Sequence, residues 1–514
     1  MSIKKVFYNE VDMVTRDFDI GSFTKMPRTA ITPVVRDIDT GYLNAAPYSA
    51  GVFSINPFQI IFGVKSWDAK LTYTDANEFT VAVPSRENLD QMWVMACSVP
   101  HGINEIELAG LTELESRDIF TPGIKEFPLN LECRVAKRIP LPKALRLIII
   151  ADVVGIHISS NILNMSRSDA IKYFPMTEAN IENPGTGLYG PGILSGELIG
   201  NTEKMFKSPK REVKEGKVYI SKGEFFKPIN QDILANAIFP MPSYIVMSKD
   251  IKNNSTALPV SGGLLMNNRP TIQIPILKDS VSYKNIQENK EFVVSIPIRS
   301  QIKNFEILEN TNNYNKAGFS LLEGNQIKTK GLVECPINID CKVVTIEEIP
   351  GNNYVLVLGR KVGLSVDGEL VNIDNYMKVY SQYIYAVLDK DMVRKWGFHD
   401  INNLSVKPVP TWGSRLHGGY WTGPEQYQAG FQYWLIELLQ SKYITEEDYH
   451  KLRRWIAWLR IEGYWAPEPL RSEIVRRLTE ILKMMLWAHR DKEKWSQVHK
   501  FFEEYSYEGK WQST

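Results

Sequence analysis

Glu78-Phe79-Thr80-Val81-Ala82-Val83-Pro84 returns as Glu291-Phe292-Val293-Val294-Ser295-Ile296-Pro297, an offset of 213 residues. Both copies are short runs of β-branched and aromatic residues closed by proline, the composition of a strand that stops abruptly. Three more blocks recur in the same order at an offset of 208. Ala109-Gly110-Leu111-Thr112 meets Ala317-Gly318-Phe319-Ser320, Asn130-Leu131-Glu132-Cys133 meets Asn338-Ile339-Asp340-Cys341, and Val154-Gly155 meets Val362-Gly363. Blocks that keep their order and spacing describe a duplicated domain. The two β-rich copies are read as residues 15–200 and 235–395, with the charged stretch from Lys204 to Lys222 as connector.

Composition narrows the function. With 44% hydrophobic and 23% charged residues, the 514-residue chain reads as globular and not as disordered. Sixty Lys and Arg against 59 Asp and Glu leave no basic excess for phosphate neutralisation, which argues against a nucleic-acid partner. Cys97, Cys133, Cys335 and Cys341 are too few for a disulfide scaffold and contain no CxxC, so no metal site is expected. Cys133 and Cys341 fall at matching positions and are expected to pack as small core residues. The most apolar stretch, Leu145 to Ile156, carries Arg146 and Asp152 and is too short to span a bilayer. The N-terminus lacks the apolar core of a secretory signal, and a cytoplasmic location is expected, with no membrane contact.

The chain changes character near residue 396. Ten of its 12 tryptophans lie at or beyond Trp396, where Phe431, Trp434, Leu435, Leu438 and Leu439 recur at helical spacing. Residues 400–514 are therefore expected to form an all-α, Trp-rich C-terminal domain after the two β domains, its surplus aromatics available for core or partner.

Arg28-Thr29-Ala30-Ile31-Thr32-Pro33-Val34, followed by Gly41-Tyr42-Leu43-Asn44-Ala45-Ala46-Pro47-Tyr48-Ser49, resembles the flavin reductase-like group of FMN-binding split barrels. That group includes flavoredoxins and the reductase components of two-component monooxygenases. The resemblance spans residues 28–160 and, more weakly, 242–370. It implies a β-rich α+β fold of two tandem split β-barrels, an FMN cofactor and NAD(P)H or a protein as electron donor. It also implies a monooxygenase or electron-transfer protein as acceptor. The related proteins form homodimers, so the tandem copy suggests a pseudo-dimer fused within one chain, which could oligomerise further. Hydride passes directly to the flavin, so the cofactor carries the chemistry.

Residue chemistry agrees in the first copy. Lys65, Ser66, Lys70 and Thr72 offer two cations and two hydroxyls just after an apolar run, the donors that a phosphate needs. Within Asn44-Ala45-Ala46-Pro47-Tyr48-Ser49, the small Ala45 and Ala46 would let backbone approach the isoalloxazine, and backbone amides would hydrogen-bond its O and N atoms. His157 occupies the position from which a group would gate the flavin face, and is the candidate catalytic residue. In the second copy Asn44 becomes Thr256, Lys70 becomes Tyr283, Thr72 becomes Asn285 and His157 becomes Ser365. Lys278 and Ser261-Gly262-Gly263 remain as possible phosphate donors. A non-catalytic assembly protein that keeps the barrels as scaffold is the competing reading. Because the tail lies outside both repeats, a chain ending near residue 400 is expected to retain flavin affinity. Titration of the folded truncation with FMN checks this.

Overall fold

The computed structural model describes residues 5–9, 26, 28–37, 41–65, 76–88, 91–92, 95, 104–141, 146–174, 176–177, 189–190, 193–194, 216–263, 271–370, 382–388, 392, 394–400 and 445. The expected C-terminal helical domain and Cys97 lie outside them. The described chain opens with β1 (Lys5–Asn9), a strand that belongs to neither neighbour in sequence. The first barrel follows with β2 (Arg28–Arg36), β3 (Leu43–Ala45), β4 (Tyr48–Ser54), β5 (Gln59–Lys65) and β6 (Glu78–Val83). Two long strands, β7 (Leu129–Leu141) and β8 (Arg146–Ser159), complete it.

Six strands close on themselves in the order β2-β4-β5-β8-β7-β6, with β6 returning to β2 through Val34↔Thr80 and Thr32↔Ala82. The alternation seen at Phe79, Val81 and Val83 sends these side chains inward, against Leu129, Leu131, Cys133, Phe62 and Val35. Thr80, Ala82, Asn130 and Glu132 face outward on the same strands. Strand β9 (Lys217–Ser221) pairs with the far half of β8, His157 opposite Tyr219. Part of the presumed connector is therefore a strand of the first barrel's sheet.

The second barrel repeats the order. Strands β10 (Met241–Lys249), β11 (Ser255–Ser261), β12 (Thr271–Leu277), β13 (Glu291–Ile296), β14 (Ile337–Glu348) and β15 (Tyr354–Asp367) form the series β11-β10-β13-β14-β15-β12. Its interior holds Tyr244, Phe292, Val294, Ile339, Cys341 and Val357. Strand β1 pairs with β15, Phe7 opposite Ser365, so each barrel is extended by a strand that precedes the other in sequence.

Equivalent residues of the two barrels meet. Ile148 and Ile150 share one buried cluster with their repeat partners Leu356 and Leu358, joined by Phe53, Ile61 and Ile349. Gly51 faces its own counterpart Gly263, whose N–H donates to Val52 O at 2.8 Å. Lys137 Nζ reaches Glu347 Oε2 at 2.6 Å, and Asn352 donates to Gln59 Oε1 at 2.7 Å. Arg167 crosses from the first half to Leu388 O at 2.8 Å and Ile238 O at 3.2 Å. This is self-complementary packing of the kind found between two copies of one chain. A Cβ on Gly51 would lie 2.1 Å from Gly263 O, which is backbone and cannot swing aside. Gly51→Ala is expected to cost about 1–3 kcal/mol, read as a lower urea midpoint. Gly223→Ala, where a Cβ meets nothing within 4 Å, is the control.

Candidate functional site

The hairpin expected to hold the cofactor straddles β3 and β4. Pairing of Val34 with Ala45 and of Ala30 with Ser49 lays it along β2, with Ser49 outward on the same side as Gly51. Ala46 packs into the barrel interior, and Tyr48 lies opposite Ile31, its ring 6.4 Å from Phe62. Pro47 is buried between them. Asn44 Nδ2 approaches Asp37 Oδ2 at 3.4 Å. The Ala45 N–H is committed elsewhere: it donates to Glu105 Oε2 at 2.7 Å. Glu105 is buried at the start of a short helix (Glu105–Leu108) capped by the Asn104 side chain. A buried carboxylate thus already takes the Ala45 amide proton, which leaves that amide out of the backbone donors a flavin could use. Lys65 is the last residue of β5, and Ser66, Lys70 and Thr72 lie outside the described residues.

Strand β2 holds polar atoms without a partner among the described residues. Thr29 and Thr32 are 2% and 0% exposed, and neither hydroxyl has a hydrogen bond. Buried hydroxyls are ordinarily satisfied. Three residues apart, the two point to opposite faces of β2. Thr32, on the face shared with Ala30 and its partner Ser49, is the one that a group at the hairpin could meet. The strand pairings set Thr29 and Thr32 against Pro242 and Ile245 in the second barrel, where nothing needs satisfying. This contrast is present in the sequence at the 213 offset, within a stretch otherwise noticed only for its family likeness.

In the second barrel the corresponding donors are already used. Thr256 Oγ1 lies 2.8 Å from Ser248 Oγ and accepts from Asn285 Nδ2 at 3.0 Å. Asn285 sits on a helix (Val281–Asn289) capped by Ser280, which accepts from Tyr283 N at 3.1 Å. Lys278 pairs with Glu348 at 3.5 Å, and Ser261 with Ser243 at 2.8 Å. Gly262 N donates to Pro242 O at 3.0 Å and Gly263 N to Val52 O at 2.8 Å. The two glycine amides cannot serve a phosphate as the sequence suggests, because strand and inter-barrel contacts take them.

His157 is not brought to the hairpin. It stands on β8, three strand steps from β2 in either direction around the barrel. Its Nε2 donates to Glu132 Oε1 at 2.6 Å, and its ring centroid is 4.6 Å from that of Tyr219. Glu132 also accepts from Arg117 N at 2.8 Å and Asp118 N at 2.7 Å. The Tyr219 hydroxyl donates to Asp118, and the Arg117 guanidinium lies 4.6 Å from the Tyr219 ring centre. Gly155 is required beneath this stack, since a Cβ there would sit 2.7 Å from the Tyr219 oxygen. Glu132, missed as a chemical residue in the sequence, is the hub. Burial pushes its carboxyl up, but the bonds from His157, Arg117 and Asp118 outweigh burial and hold it below the usual range. Its counterpart Asp340 keeps two backbone donors, Asn325 N at 3.0 Å and Gln326 N at 2.9 Å, and lies opposite Gly363, with Ser365 at the position of His157. Burial, with the negative Glu291 added to it, keeps Asp340 above the usual range. Cys133 and Cys341 are buried in the two barrel interiors, as expected of packing residues.

A model described as the flavin reductase like domain matches residues 38–172 and again 236–382, more than half of the chain. The chain belongs to the flavin reductase-like family. Membership implies a flavin cofactor and flavin-related oxidoreductase chemistry. An uncharacterised protein of Methanothermobacter thermautotrophicus is 32% identical over 125 residues, 24% of this chain and 58% of that protein. The chain spans about half the length of the curated relatives it matches. Among solved structures, component B of nitrilotriacetate monooxygenase from Bacillus cereus is 24% identical, covering 32% of this chain and 86% of that one, with a TM-score of 0.29. Flavoredoxin of Desulfovibrio vulgaris is 18% identical, covering 32% and 88%, with a TM-score of 0.27.

The two carboxylates titrate in opposite senses. A depressed Glu132 contributes stability above its unfolded value of about 4.3, and that contribution is lost as pH falls through the lower folded value. A raised Asp340 costs stability when ionised, and the cost fades as pH falls through its folded value. Glu132→Gln is expected to destabilise by about 1–3 kcal/mol at pH 7, and less towards pH 4. Asp340→Asn is expected to be neutral or stabilising at pH 7. Urea unfolding across pH 4–7 checks both.

Proposed function

We propose that this protein is an FMN-dependent oxidoreductase of the flavin reductase or flavoredoxin type, binding one flavin, in its first barrel. Family membership of both halves supports flavin chemistry. The observation that carries the assignment to the first barrel is the unpartnered buried hydroxyl of Thr32, on the face of β2 that Ser49 of the hairpin shares. Its counterpart Ile245 leaves nothing to satisfy, and the Ser248–Thr256–Asn285 bonds occupy the matching polar groups of the second barrel.

In this reading Asn44, Ser49 and Thr32 meet the flavin, and Lys65, Ser66, Lys70 and Thr72 meet its phosphate. A bound flavin would accept hydride from NAD(P)H or electrons from a protein donor and pass them to a monooxygenase or an electron-transfer protein. The chain's own part is to bind and orient the ring and to shield one of its faces. His157, bonded to Glu132, positions β9 rather than gating the flavin. The scaffold reading applies to the second barrel, where Thr256, Asn285, Lys278 and the Gly262 and Gly263 amides are taken up by contacts within the protein.

Reconstitution with FMN, followed by measurement of the flavin-to-protein ratio, tests the asymmetry. A ratio near one per chain is expected, and near two would defeat it. Lys65→Ala with Lys70→Ala is expected to weaken FMN by about 3 kcal/mol or more, since each charge-assisted bond contributes about 1.5–3 kcal/mol. Unchanged affinity in a titration would remove the phosphate assignment.

A further inference from the structure

The two exchanged strands are themselves a repeat. Lys5-Val6-Phe7-Tyr8-Asn9 aligns with Lys217-Val218-Tyr219-Ile220-Ser221 at an offset of 212. Their lysines make the same contact: Lys5 Nζ donates to Cys335 O at 2.6 Å, and Lys217 Nζ donates to Phe127 O, the residue 208 positions earlier. Val6 and Val218 likewise hold matching positions, opposite Val366 and Ile158. Lys5 also pairs with Asp367 Oδ1 at 2.5 Å, where the first barrel sets Ser159 opposite Lys217. Because both arms carry Lys and Val at these positions, neither residue can distinguish one arm from the other.

The third and fourth residues can. Tyr219 places its ring on His157 and its hydroxyl on Asp118, whereas Phe7 lies opposite Ser365, with Gln326 at the position of Asp118. Tyr8 is buried in the second barrel's core opposite Leu364, and the smaller Ile220 in the first barrel's core opposite Ile156. Phe7 on the first barrel would leave the Asp118 carboxylate without its phenol donor, and Tyr8 would overfill the space made for Ile220.

We propose that β1 and β9 are recognition strands through which the halves select one another, each sorted to the edge of the opposite barrel by its third and fourth residues. The partner such an edge takes is an extended lysine–valine–aromatic strand carried by another barrel, added by main-chain pairing. Sorting is needed because an unfilled edge pairs indiscriminately, and two nearly identical arms compete for two nearly identical edges. The inference does not rest on the flavin assignment.

Amide hydrogen exchange on the full chain tests it. Phe7→Tyr with Tyr8→Ile gives the first arm the matching residues of the second. Exchange over Gly363–Asp367, more than 350 residues away, is expected to accelerate at least tenfold, with Gly155–Ser159 unchanged. Tyr219→Phe, which removes one hydroxyl and no packing, is expected to accelerate Gly155–Ser159 alone, and it carries the test if the double variant does not fold. Unchanged exchange at the matched edge, or equal acceleration at both edges, would overturn the proposal.

Discussion

Two backbones approach at Gly51 and Gly263 so closely that no side chain fits between them. The rest of the architecture follows from that approach. Because the two glycines are counterparts, the surfaces brought together around them are counterparts too, and Ile148 and Ile150 find Leu356 and Leu358. The outward faces of β5 and of the near half of β8 thereby become interior. Strands buried on both faces read as continuous apolar runs. This is why Leu145 to Ile156 is the most apolar stretch of the chain without spanning a membrane. Beyond Asp152 the same strand leaves the contact, and its outward positions turn to Gly155 and His157, served by Glu132 and Tyr219.

The duplication was legible because strands of a barrel core tolerate few changes of pattern. Phe79, Val81 and Val83 and their copies Phe292, Val294 and Ile296 all point inward, and period two with one buried face fixes their register. The exchanged strands were not legible. Five residues beginning Lys-Val are too short to stand out from a charged surrounding, and nothing local records that their partners lie in the other half. Asn44 to Ser49 was legible as a link between two strands, but the chemistry expected of it was only partly readable. Whether the Ala45 amide is free depends on Glu105, 60 residues away, and a buried carboxylate on a four-residue helix leaves no periodic trace. The partner of His157 was hidden for a related reason: the place of His157 in the sequence follows the family, while its bond to Glu132 is set by strand register.

The two copies show what drifts and what does not. Where a position serves the fold, it changes within its chemistry: Glu132 to Asp340 keeps two backbone donors, and Cys133 to Cys341 keeps a small buried thiol. Where a position would serve a ligand, it changes across chemistry, as Thr32 becomes Ile245. An unpartnered buried hydroxyl is costly unless something meets it. Once a barrel no longer binds, apolar replacements at such sites are favoured by stability alone, which is the direction seen in the second barrel.

Fusion makes that asymmetry available. In a dimer of identical chains every substitution enters both subunits, so a residue cannot be lost from one site and kept in the other. In one chain the contact surfaces must stay matched while the two ligand faces are free to part. The pattern is consistent with that constraint. Gly51 and Gly263 persist, Lys137 still finds Glu347, and each barrel still takes an arm, yet Thr29, Thr32 and Lys70 of the first copy have become proline, isoleucine and tyrosine in the second. The first barrel's sheet is completed by β9, whose Tyr219 and Ile220 pair with the far half of β8 from the segment that joins the two halves. Through the Gly51–Gly263 approach, the Lys137–Glu347 pair and the edge that takes β1, the second barrel holds its neighbour in place whether or not it binds a ligand.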